Sequence, residues 1–191
     1  MNCAICVAKE CREGLDCTDI RGDVINVYKD RKNRKILRVA STIDSEFHMR
    51  PNRLQELILF CRKMDYRHLG IAFCIDLEEE TRILYDILAK RFRVSSVCCK
   101  VCGINKKAFD IPSSREGKVA ATCNPVAQAR ILNGDRTNLN IICGLCMGND
   151  ILFSKYSDAP VTTLVVKDRG LANNPIGAIY SAQYRKDLWG Q

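Results

Sequence analysis

Ile36, Leu37, Ala40, Ile43 and Phe47 recur every three to four positions, which predicts an amphipathic helix with one apolar stripe. Pro51 predicts the opening of a second helix, whose apolar face carries Leu54, Leu57, Ile58 and Cys61. At Leu69 the period changes. Leu69-Gly-Ile-Ala-Phe-Cys-Ile75 is a short unbroken apolar run, the pattern of a strand covered on both faces. Asp76 stands three residues ahead of Glu79, the spacing of a capping box, and Leu77, Ile83, Leu84, Ile87 and Leu88 carry a helix to about Arg91. Phe92-Arg-Val-Ser-Ser-Val-Cys-Cys99 then reads as the next strand and completes a βαβ unit.

The alternation continues. Asn124-Pro125 starts a helix through Val126, Ala129 and Leu132, and Asn133-Gly134 ends it. Leu139 to Cys146 predicts a third strand, Asp150 to Tyr156 a short helix, and Val161 to Val166 a fourth strand. This pattern predicts an α/β fold: a mostly parallel sheet of about four strands with helices on both faces. A short cysteine-rich metal-binding segment, residues 1–20, precedes an α/β domain over 21–191, with a helical lead-in at 33–64 and a βα core at 68–167. A linker through Tyr28 joins the two.

A chain of 191 residues can bury one good core. Its first residues, MNCAICVAKE, lack the apolar run of a signal peptide, and no later segment has the length and apolarity to span a bilayer. The expected compartment is the cytoplasm, with no membrane partner. Disulfides are disfavoured there, so the 12 cysteines read as metal ligands, redox thiols or small buried hydrophobes.

The formal charge of +8 raises the question of nucleic acid. Much of the excess is local, in Lys29, Arg31, Lys32, Arg34, Lys35 and Arg38. Each zinc or four-iron cluster held by four thiolates contributes about −2, so two such sites would leave roughly +4. No aromatic-rich RNA signature interleaves with the basic residues. The basic run reads as a solvated helix start, and nucleic acid is not an expected partner.

The cysteines have a pattern of their own. Ligands of open α/β sheets collect beyond the carboxyl ends of the strands. The first predicted strand delivers Cys74 to that edge, the second Cys98, Cys99 and Cys102, and the third Cys146. Cys123 stands just before a helix start, where backbone N–H groups favour a thiolate. Any one of these could be core packing, as Cys61 on an apolar helix face and Cys143 inside a strand are expected to be. Joint placement at one edge favours shared ligation by Cys74, Cys99, Cys123 and Cys146, with Cys98 and Cys102 as additional ligands or redox thiols.

Cys3, Cys6, Cys11 and Cys17 follow a Cys-x2-Cys-x4-Cys-x5-Cys spacing in a segment too short for its own core. The leading pair can grip a metal from one tight turn, and the second pair closes a four-thiolate shell. Zinc and an iron–sulfur cluster both fit it. His48 and His68 read as surface or packing residues, and so thiolate-dominated, soft-metal chemistry is preferred over a hydrolytic zinc site. Asn149, Lys167, Asp168, Arg169 and Asn173 are candidate contacts to a substrate or anion at the same edge.

The chain resembles an uncharacterised, cysteine-rich family of bacterial and archaeal proteins, labelled as metal-binding and of unknown function. The resemblance rests on Gly70-Ile-Ala-Phe-Cys74, Cys99-Lys100, Cys123-Asn-Pro-Val-Ala-Gln-Ala129, Leu132-Asn133, Thr137-Asn-Leu-Asn140, Gly144-Leu-Cys146, Ala159-Pro-Val-Thr-Thr-Leu164 and Lys167-Asp168-Arg169. It implies ligand cysteines at Cys74, Cys99, Cys123, Cys146 and the N-terminal four. It also implies histidines where this chain has Asn149 and Asn173; if those histidines bind metal or move protons, this chain has lost that capacity, or Cys98, Cys102 or Cys143 compensates.

The expected function is therefore that of a cysteine-ligated metal protein with a redox or electron-transfer role. An iron–sulfur cluster, of the four-iron type, is expected at the sheet edge, with zinc or a second cluster at the N-terminal cysteines. Its expected partner is a redox protein or a small-molecule substrate. The alternative is a non-enzymatic zinc-binding module for protein interaction. A thiol enzyme using Cys123 as nucleophile ranks last, because no histidine is placed in sequence to serve as its base.

Overall fold

Four strands, β1 (His68–Phe73), β2 (Arg93–Cys98), β3 (Leu139–Cys143) and β4 (Val161–Val165), lie side by side in the order β2-β1-β3-β4. Every neighbouring pair is parallel, as the alternation of strands and helices predicts. The computed structural model describes residues 1–48, 50–112 and 120–189, and with residues 113–119 part of the expected 68–167 core lies outside the described residues. Two compact units divide the chain, Met1–Asn52 and Arg53–Gln191.

In the first unit, 3-10 turns at Cys3–Ile5 and Glu10–Glu13 lead to α1 (Arg21–Val27) and α2 (Arg31–Phe47). The stretch read as a linker is thus partly helical. The Asp30 carboxylate caps α2 by accepting the Asn33 N–H at 2.9 Å. His48, left-handed at φ 49°, ends it. No residue of 1–20 is buried.

The second unit holds the sheet and the remaining helices: α3 (Arg53–Lys63), α4 (Glu78–Ala89), α5 (Pro125–Gly134), α6 (Met147–Tyr156), α7 (Ile176–Tyr180) and α8 (Ala182–Trp189). The two-residue period of the strands sorts the core. Leu69, Ile71, Leu139, Ile141 and Cys143 face one way and pack with Leu57, Cys61, Leu84 and Leu88 of α3 and α4. Ala72 and Ile142 face the other way and pack with Ala129, Leu132 and Phe153 of α5 and α6. Leu88, Leu132 and Phe153 are fully excluded from solvent, each stabilising the fold by roughly 1.5–3 kcal/mol relative to an exposed side chain.

Polar side chains lock the register. Asn138 Oδ1 accepts the N–H groups of Arg67 at 2.8 Å and His68 at 2.9 Å, tying the start of β1 to that of β3. Buried Asn140 accepts Thr137 Oγ1 at 2.7 Å and donates to Ser157 Oγ at 2.8 Å. Gly70 makes room for it, since a Cβ there would lie 2.1 Å from Asn140 Oδ1. The Thr137-Asn-Leu-Asn140 motif is therefore a fastening of the sheet.

Several boundaries differ from expectation. The helix after Pro51 begins at Arg53. The third strand stops at Cys143, not Cys146, because Gly144 turns the backbone to φ +69°. Asp76 does not cap α4: it sits in a 3-10 turn, Ile75–Leu77, and Leu77 precedes the helix. Its carboxylate is held elsewhere.

Candidate functional site

The strand order reverses between β1 and β3, and the crevice beyond their carboxyl ends is where sheets of this kind bind ligands. Cys74 follows β1 immediately, and its N–H donates to Cys143 O at 3.1 Å across the two strand ends. Cys98 closes β2 and Cys99 follows, donating its N–H to Phe73 O at 2.9 Å. Cys123 enters through the approach to α5, where Asn124 N donates to Cys99 O at 2.8 Å. Asn124 then caps α5 through the Ala127 N–H at 3.1 Å, and Pro125 takes the first turn, where no N–H is needed. Cys146 is the N-cap residue of α6, its carbonyl accepting Asn149 N at 2.7 Å and Asp150 N at 2.9 Å.

Three of these sulfurs meet a cation. Lys167 Nζ lies 3.4 Å from Cys74 Sγ, Lys100 Nζ 3.3 Å from Cys123 Sγ, and an Arg169 nitrogen 3.5 Å from Cys146 Sγ. Lys167 also donates to Asp76 Oδ2 at 2.8 Å, and Arg169 stands 4.0 Å from the same oxygen. The Lys167 bond, and then its charge, holds the Asp76 carboxyl below its usual range. Burial works against the Lys167 charge, but Asp76 and Cys74 outweigh it and raise its pKa. Arg169 is likewise raised, first by its bond to Cys146.

Cys74 and Cys99 are both buried, at 5% and 1% exposure. Burial pushes the Cys99 thiol up to about 12, the Ile75 N–H at 3.5 Å opposes this, and neighbouring Cys123 and Cys74 reinforce it. Cys143 is also raised by burial, with Thr81 Oγ1 donating to its sulfur at 3.5 Å, and Cys61 is pushed up to about 12 by burial alone. Both belong to the core, as read from their positions. Cys98 Sγ accepts the Lys100 N–H at 3.4 Å, whereas Cys102 is exposed at φ 69°.

The remaining polar candidates divide. Lys167 and Arg169 face the sulfurs. Asp168 and Asn173 are closed on their own turn: Asp168 Oδ1 accepts Gly170 N and Leu171 N, both at 2.9 Å, and Asn173 Oδ1 accepts Asp168 N at 3.0 Å. Asn149 contributes its N–H to the start of α6. Cys3 and Cys6 flank one turn, with Cys6 N donating to Cys3 O at 3.4 Å, and Cys11 and Cys17 are exposed.

Two contributors are invisible to spacing. Lys100 reaches a cysteine 23 positions away, and Asp76 a lysine 91 positions away. Gln128 is a third residue missed: fully buried, it donates to Val97 O at 2.7 Å and Phe73 O at 3.2 Å, joining the ends of β2 and β1. A glutamine inside an apolar helix face was its signal.

The donor chemistry, soft sulfur with cations against it, suits a thiolate-held metal centre. Among the described residues, no three Cys, His, Asp or Glu side chains form a group able to hold one metal ion. Among the described residues, no helix is long and apolar enough to cross a membrane.

These features define a cysteine-rich α/β protein with a doubly wound, parallel sheet. The chain belongs to the family described as protein of unknown function DUF1847, which matches residues 13–164. It is 51% identical over 189 residues to Uncharacterized protein MJ0455 of Methanocaldococcus jannaschii, covering 98% of each chain. No solved structure matches it.

Proposed function

We propose that this protein carries a cysteine-ligated metal centre, an iron–sulfur cluster with a redox or electron-transfer role, at the carboxyl edge of its sheet. The observation that carries the reading is the pairing of Cys74, Cys123 and Cys146 with three different cations, Lys167, Lys100 and Arg169, at 3.3–3.5 Å. Cys74, although buried in the core, keeps an ammonium against its sulfur, and a centre of four thiolates concentrates negative charge that adjacent cations offset.

In this proposal Cys74, Cys99, Cys123 and Cys146 hold the group, which when bound supplies one-electron transfer. Lys100, Lys167 and Arg169 stabilise its reduced, more negative state, and Arg169, the exposed cation of the pair that ends the fourth strand, contacts an anionic substrate or partner. Cys98 and Cys102 remain as spare thiols. Ligation would hold the four sulfurs in one group, so metal binding is coupled to local ordering.

Residues 1–20 favour a second metal by a separate route. A segment without a buried residue gains no cohesion from a core, and four thiolates on zinc or a second cluster would supply it. Zinc at both sites is the rival reading, in which the protein is a structural module that binds another protein.

The test is the visible spectrum of protein purified without oxygen, with iron, zinc and acid-labile sulfide measured on the same sample. A brown protein with iron and sulfide supports the redox reading. A colourless protein with zinc alone overturns it in favour of the structural module.

A further inference from the structure

At the amino edge of the sheet, opposite the cysteines, lies a cavity of about 380 Å³ lined by Arg62, Asp65, Tyr66, Arg67, Arg91 and Phe92. Two connections build it. The end of α3 brings Arg62, the turn from it into β1 brings Asp65, Tyr66 and Arg67, and the turn from α4 into β2 brings Arg91 and Phe92. The turns are held together by the Arg93 N–H, which donates to Arg67 O at 2.9 Å.

Three guanidinium groups and one carboxylate thus share one concave surface. None of the three arginine side chains has an ion pair or side-chain hydrogen bond among the described residues. Crowding like charges without partners is unfavourable, and an anion that accepts from all of them relieves it. Helix dipoles account for part of the placement, since Arg62 lies in the last turn of α3 and Arg91 just beyond α4. Arg67 precedes a strand and ends no helix, so dipole compensation does not explain it.

We infer that this cavity binds an organic phosphate, independently of any metal at the opposite edge. Planar guanidinium groups match phosphate oxygens two at a time, and the charge of such a ligand answers an excess of two positive charges (three arginines less one aspartate). The volume lies at the lower end of the range for small-molecule sites and exceeds what a bare phosphate needs. Tyr66 and Phe92 give the remainder of the ligand an aromatic wall.

The test is calorimetric titration of the full chain with 5′-adenosine monophosphate, inorganic phosphate and a single-stranded oligonucleotide. The expected result is saturable one-to-one binding of the monophosphate, tighter than that of inorganic phosphate. Arg67→Gln and, separately, Arg62→Gln should weaken it roughly tenfold or more, while Lys29→Gln in the basic run of the first unit leaves it unchanged. Both arginines are exposed, and circular dichroism confirms that each variant is folded. Three results would each overturn the assignment: no saturable binding of the monophosphate, equal binding by wild type and both arginine variants, or binding by the oligonucleotide alone. Inorganic phosphate binding as tightly as the monophosphate overturns the organic component. Metal content, measured separately, reports only on the cysteine edge.

Discussion

Lys167 Nζ stands between Asp76 Oδ2 at 2.8 Å and Cys74 Sγ at 3.4 Å, joining the exit of β4 to the exit of β1 across β3. The lysine side chain is 7% exposed and the aspartate 57% exposed. The two partners are therefore not equivalent. Asp76→Asn leaves a nearly buried ammonium without its carboxylate and should cost about 1–3 kcal/mol, whereas Lys167→Met leaves a solvated carboxylate and should cost about 1 kcal/mol or less. Urea denaturation of the two variants measures the difference. The Asp76 carboxyl has its folded-state pKa lowered from 3.8 by Lys167, so its contribution is present above about pH 4 and lost as the pH falls below that value.

Asp150 predicts the opposite pH dependence. Burial pushes its carboxyl up to about 6 from 3.8, and its Oδ1 is enclosed without a hydrogen-bond partner among the described residues. The folded state holds the proton more tightly than the unfolded chain, so stability falls as the pH rises from about 4 to about 6. Asp150→Asn should remove that slope and stabilise the protein at pH 7.5 by about 1 kcal/mol, the full linkage value being reduced by partial solvation. Thermal unfolding at pH 4.5 and 7.5 measures it, and an equal gain at both values would contradict this account.

Cysteine substitutions should fall into two groups. Cys74→Ser or Cys123→Ser is expected to abolish bound iron and its visible absorption. Cys61→Ser, at a site 0% exposed, should leave metal content intact and cost about 1–3 kcal/mol by burying a hydroxyl. Metal analysis and denaturation on the same preparations separate ligands from core.

Removing metal should act most strongly on residues 1–20, which lack a buried residue of their own. Chelation is expected to raise amide exchange across Cys3–Cys17 towards that of an unfolded chain while the β1 and β3 amides stay protected. Exchange measured with and without chelator follows both segments at once.

Gly144→Ala should be among the more damaging single changes at the site. A Cβ there would lie 2.0 Å from Leu77 Cδ1, and the backbone is already at φ +69°. The expected loss is about 2–4 kcal/mol by chemical denaturation, with displacement of the turn that carries Asp76.

Apolar patterning located β1 closely, because a strand covered on both faces is apolar throughout and the run ends where cover ends. The edge strands β2 and β4, which carry Ser95, Ser96, Thr162 and Thr163, were located by the alternation of strand and helix. Apolar patterning overran β3 by three residues, since Gly144 and Leu145 are buried as deeply as the strand although the backbone turns away at Gly144. It also placed Asp76 at a helix cap. The capping spacing is satisfied in sequence, but a lysine at the end of another strand competes for the same carboxylate and wins. The cysteines were legible because strand ends are, and in a parallel sheet all carboxyl ends share one edge.

The chain by itself determined the α/β class, the alternation of elements, the family and the placement of Cys74, Cys98 and Cys99 at strand ends, because each depends on local periodicity or on short motifs. Tertiary structure alone decided that β1 lies between β2 and β3, that Lys100, Lys167 and Arg169 stand against particular sulfurs, and that three arginines from two turns line one cavity. Those relationships join residues tens of positions apart. They depend on the order in which strands pair and on where long side chains reach, and neither is encoded in spacing along the chain.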